Sequence, residues 1–196
     1  MEVHMATTTG NGGGGIGPWR IIGWGGAAAL LLTPLVAMQF SSEVDWSLSD
    51  FIVMGAMMLA VGIPLELAAR SSASVAYRLG AAVALITGFL LVWANLAVGI
   101  IGSEDNPLNL VFLGVVALTA AGAFVVRGRA RGLAVTMLVA AAVQGAIALA
   151  TLALGWGAHE PPGLFGVVFL IGAFAVLWLL ASALFRQAAA AEAAEG

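Results

Sequence analysis

The sequence predicts an all-α polytopic membrane protein, with six transmembrane helices paired as three hairpins and both termini cytoplasmic. Three observations carry that prediction. Hydrophobic residues make up 62% of the 196-residue chain and charged residues 9%, against roughly 45–50% and 25% in ordinary soluble domains. A soluble fold of this size needs a polar shell that so few charges do not supply. Apolar stretches of about twenty residues recur along the whole length, long enough to cross a hydrocarbon core at about 1.5 Å per residue. They are continuous rather than alternating, which argues against a β-barrel. Finally, Arg20, Arg70, Arg78, Arg127, Arg129, Arg131 and Arg186 all fall on one side of the six-span topology. The opposite side carries Glu43, Asp45, Asp50, Glu104, Asp105 and Glu160 and no arginine. The positive-inside rule makes the arginine side cytoplasmic.

Taken in order, residues 1–17 read as a flexible tail carrying a tag remnant, "EVHMA", followed by "TTTGNGGGG". The six-span membrane domain covers 18–186, and 187–196 form a cytoplasmic tail. The spans fall near 19–40, 50–69, 79–101, 108–126, 132–156 and 164–185. Before the second span, "SLSD" places Ser47 and Asp50 at capping-box spacing. On the third, Gly80, Ala84 and Gly88 make a small-residue ridge that permits close helix approach. Asn106–Pro107 starts the fourth, with Asn as N-cap and Pro at the first helical position. "RGRARG" precedes the fifth span, which carries a second ridge at Ala142, Ala146 and Ala150, and "GAHEPPG" precedes the sixth. Arginines near 20, 78, 131 and 186 mark off hairpins of roughly 55 residues in parallel orientation, a weak internal repeat or simply the look of any hairpin bundle.

Several chemistries are excluded. The chain has no cysteine, hence no disulfide, thiolate nucleophile or iron–sulfur site. It has no lysine, which removes Schiff-base cofactors. Of two histidines, His4 lies in the tail, and His159 alone does not make a bis-histidine haem site. With short loops and no nucleophile–base pair, the chain reads as a non-enzyme without cofactor or nucleic-acid partner.

The remaining polar residues form three groups. Glu43, Asp45, Glu104, Asp105, His159 and Glu160 lie on the outer turns. They either start helices in water or converge as an electronegative vestibule that concentrates cations; no spacing matches a defined metal motif. Asn95 with its neighbour Trp93, and Gln144 with Thr136 and Thr151 on one helix face, lie at membrane depth. They are either interhelical glue or a polar stripe along a solute pathway. Glu66, one turn before Arg70, is either a paired interfacial carboxylate or a coupling group.

The stretches "LVWANLAVGIIGSEDNP" (91–107) and "RGRARGLAVTMLVAAAVQ" (127–144) resemble an uncharacterised family of small bacterial multi-spanning inner-membrane proteins. The resemblance implies a bacterial inner-membrane setting and directs attention to Trp93, Asn95, Glu104, Asp105, Asn106 and Gln144. It brings no activity. The functional expectation is a small channel or transporter, homo-oligomeric, passing a small solute or cation from the acidic outer face. The alternative is an accessory or scaffold subunit docking another membrane protein.

Overall fold

The structure, a computed structural model, describes residues 18–195, with side chains from Arg20 to Ala194; the tail assigned to 1–17 lies outside them. Among the described residues the chain is all-helical, with no strands. Six helices are long and apolar enough to cross a membrane. They are α1 (Pro18–Ala37), α2 (Leu48–Ser71), α3 (Val75–Ala97), α4 (Leu110–Val125), α5 (Ala130–Leu154) and α6 (Gly163–Glu195), with a 3-10 turn over Pro107–Asn109 leading into α4.

The described residues divide into two compact units, with the boundary between Ala56 and Met57, inside α2. The first contains α1 and the opening turns of α2. Its local chemistry is the capping box that the sequence signals. The Ser47 backbone N–H donates to Asp50 Oδ2 at 2.7 Å, and the Asp50 N–H donates to Ser47 Oγ at 3.4 Å. Reciprocal satisfaction of two end-of-helix donors sets the start of α2 at Leu48.

In the second unit, α6 packs on α5 and on α3, while α4 packs on α5 and α3. The four helices therefore close a ring of neighbours around one apolar core that includes Leu91, Phe112, Val115, Ile171, Trp178 and Phe185. Small residues set how close the helices come. A Cβ on Gly80 would meet Phe185 Cδ1 at 3.2 Å, so the α3 ridge is used inside the chain, against α6. The α5 ridge differs: Ala142 and Ala146 are exposed. Between α4 and α5 one position leaves no room for a side chain, since a Cβ on Gly122 would lie 2.4 Å from Thr136 Cγ2. Gly122→Ala is therefore expected to destabilise by about 2 kcal/mol, the overpacking cost exceeding the helix-propensity gain. Thr136→Ala in the same chain should recover most of it, as thermal unfolding of the two single variants and the double variant would report.

Helix limits depart from the sequence-based spans most at the two ends of α3 and at the end of α6, each for a local reason. α3 begins at Val75 rather than 79 because Ser74 caps it, its hydroxyl accepting from the Tyr77 N–H at 3.3 Å. It ends at Ala97 rather than 101 because Gly99 adopts φ +71°, a left-handed conformation that stops a helix. α6 does not end near 185: Ala-rich sequence without Gly or Pro carries it to Glu195, so the expected tail continues the helix. At 33 residues it is about 50 Å long.

Candidate functional site

Of the residues expected at membrane depth, Asn95, Thr136, Gln144 and Thr151 are buried within the second unit, and Trp93 is not. Gln144 is wholly buried on α5, and neither atom of its carboxamide has a hydrogen-bond partner. Thr151, two turns further along the same helix, is also wholly buried with Oγ1 unpartnered. Asn95 on α3 donates Nδ2–H to the Leu91 carbonyl at 2.7 Å, but its Oδ1 has no partner. Thr136 is held locally, its hydroxyl donating to the Gly132 carbonyl at 3.1 Å. Trp93 is 46% exposed, on a different face of α3 from buried Asn95. Trp178 of α6, a tryptophan that the sequence places away from the membrane interfaces as core packing or a stacking wall, is buried with Nε1 unpartnered. The interhelical bonds that would make Asn95 and Gln144 structural glue are thus not formed between these side chains. A bond of that kind does occur at Ser182, whose hydroxyl donates from α6 to the Ala134 carbonyl of α5 at 2.7 Å.

At one end of the second unit, the turn 98–106 folds around Asn109. This buried side chain accepts from the Ile100 N–H (3.1 Å) and the Ile101 N–H (2.9 Å), and donates to the Ser103 carbonyl (2.8 Å). Asn106 caps the 3-10 turn through Leu108 N–H at 3.0 Å. Glu104 and Asp105 stand exposed beside this scaffold and take no part in it. The α5–α6 connection meets the same turn: a Cβ on Gly102 would lie 2.3 Å from Glu160 Oε2. His159 and Glu160 are exposed on that connection, as are Glu43 and Asp45 in the first unit. Among the described residues no three Asp, Glu or His side chains are grouped to hold a metal ion. Asn109 carries no charge and matches no motif, so its long-range role left no signal in the sequence beyond an amide at a helix start.

The other end gathers arginines around a cavity of about 1120 Å³ built entirely from residues of the second unit. Its mouth carries Arg127, Arg129 and Arg131, with Tyr77 and Glu192 beside them. Its walls are apolar, among them Ala60 and Pro64 of α2, Ala84 and Phe89 of α3, Ala120 of α4 and Met137 of α5, and Trp178 lines it as well. Tyr77 ties the mouth together by donating its hydroxyl proton to the Gly128 carbonyl at 2.7 Å, and its ring packs edge-on against Phe185. Asn95, Gln144, Thr136 and Thr151 do not line this cavity. Glu66 is paired with Arg70 one turn on, as the order of the two residues suggested. A second cavity, about 500 Å³, lies between α5 and α6 with Arg131, Ser182 and Arg186 on its wall.

No family model, curated protein or solved structure matches the chain.

Proposed function

We propose that this chain is a small channel or transporter of the bacterial inner membrane, arranged as three hairpins with both termini cytoplasmic, that passes a small solute or cation from its acidic outer face. The observation that carries the reading is the carboxamide of Gln144. A buried amide without a partner costs about 1–3 kcal/mol on protein mutational scales, and a leucine would fill the same place without that cost. Polar groups retained at such expense inside a membrane bundle belong to the working parts more often than to the scaffold. Thr151 and the Oδ1 of Asn95 add two further unpartnered polar atoms within the same four-helix core. All three are neutral, which suits hydrogen-bond exchange with a passing solute better than capture of an ion. The exposed acids Glu104, Asp105 and Glu160 would raise cation concentration at the outer mouth.

The reading gives opposite signs for stability and activity at one residue. Gln144→Leu is expected to raise stability by about 1–3 kcal/mol, seen as a later thermal transition in detergent. The same variant in liposomes should lose flux of the transported solute, with uptake of a panel of small polar solutes and cations measured against wild type. A variant that is more stable and equally permeable would remove Gln144 from any pathway. If wild type carries nothing in that panel and purifies with a fixed membrane-protein partner, the scaffold alternative takes over, with the exposed α5 ridge as its docking face.

A further inference from the structure

We propose that the cavity at the arginine end is a binding site for one anionic glycerophospholipid drawn from the adjoining leaflet. This goes beyond the transport reading and does not depend on it. The first argument is charge complementarity. Three guanidinium groups, Arg127, Arg129 and Arg131, stand at the mouth against one carboxylate, Glu192. A phosphodiester is the membrane-borne anion that such a fork of donors matches best. The start of α5 reinforces it: the helix begins at Ala130, among these arginines, so the positive end of its dipole adds to the same local field.

The backbone supplies a second argument. Arg127 has φ +51°, the one non-glycine residue with positive φ among those described. That conformation is strained for an L-residue, and a glycine would hold it freely. The chain instead keeps a guanidinium there, on the rim of the cavity.

Depth and polarity describe the rest of the occupant. Along α3 the cavity is lined from Tyr77 to Val92, fifteen residues or about 22 Å, which is more than one leaflet's share of a roughly 30 Å hydrocarbon core. Its walls below the mouth are apolar, fit for acyl chain. Trp178 lies about two turns, or 10 Å, beyond Phe185 along α6 and lines the cavity beside Gly88. Phosphate and acyl chain therefore meet guanidinium and apolar wall in that order.

The test is native mass spectrometry of delipidated protein titrated with phosphatidylglycerol or with phosphatidylcholine of identical chains. One phosphatidylglycerol per protein, favoured by about tenfold or more, is the expected result. Arg127→Gln with Arg129→Gln and Arg131→Gln should abolish the preference, and Gly88→Leu, which pushes into the cavity beside Trp178, should weaken both lipids. Should the triple variant fail to fold, Arg127→Gly keeps the turn, relieves its strain and should still lower phosphatidylglycerol binding severalfold. Equal binding of the two lipids, or binding unaffected by Gly88→Leu, would overturn the proposal. Displacement of the lipid by millimolar glycerol phosphate would instead assign the site to a soluble phosphate and overturn the membrane source. None of these readouts involves flux.

Discussion

Asn109→Leu is expected to destabilise the protein by about 4 kcal/mol, the largest effect of any single substitution considered. The side chain supplies the acceptor for two consecutive buried N–H groups, Ile100 and Ile101, and the donor for Ser103. Leucine fills the volume and answers none of these groups. A buried backbone polar group left unsatisfied costs about 1–3 kcal/mol, and water has no ready access, because Ile100 and Ile101 are 2% and 0% exposed. For a chain of this size 1 kcal/mol moves the thermal midpoint by about 2–4 °C, so a loss of roughly 8–16 °C should be seen in detergent. Asn109→Asp keeps the acceptor and loses the donation to Ser103, so its cost should be about half. A leucine variant that melts within 2 °C of wild type, on that same scale, would show that the turn is held by something else.

Gly99→Ala should cost about 3 kcal/mol through a different mechanism. At φ +71° the added methyl group meets the left-handed penalty of roughly 1–2 kcal/mol. It would also stand 2.5 Å from the Ser103 carbonyl carbon and oxygen, backbone atoms that do not rotate aside. Moving them would pull the Ser103 oxygen from Asn109, so the two substitutions share a partner and their costs should fall short of additive when combined. Gly114→Ala is the control: nothing lies within 4 Å of its added carbon, and in mid-helix it should be neutral or stabilising by up to about 1 kcal/mol. Unfolding of the four chains, followed by circular dichroism, separates these expectations.

The contrast between these residues explains what a sequence reader could and could not find. Six spans were legible because transfer into lipid is nearly additive along a contiguous run, needing no knowledge of neighbours. Asn95 and Gln144 were legible for the same reason, each a polar residue inside such a run. Ser47 with Asp50 and Asn106 with Pro107 were legible because capping is a contact across three residues or fewer. Asn109 was not, since its partners lie eight and nine residues back and the chain between them must first turn at Gly102. Trp93 was placed beside Asn95 by adjacency, yet neighbours one or two apart on a helix face different ways. The cavity was least visible of all. Its walls are alanines and larger apolar residues that look like ordinary packing residues, and the space they leave exists only once four helices and α2 from Met57 onward are set around it.

The length of α6 has a practical consequence for imaging. A protein of 19.8 kDa embedded in a micelle offers little outside it by which single particles can be oriented. α6 runs for 33 residues without a break, some 20 Å longer than the hydrocarbon core it crosses. A soluble helical protein joined in register at Glu195 would ride on that rod without a flexible joint. Its density would report the orientation of the bundle directly, giving electron microscopy a handle on a chain otherwise too small to align.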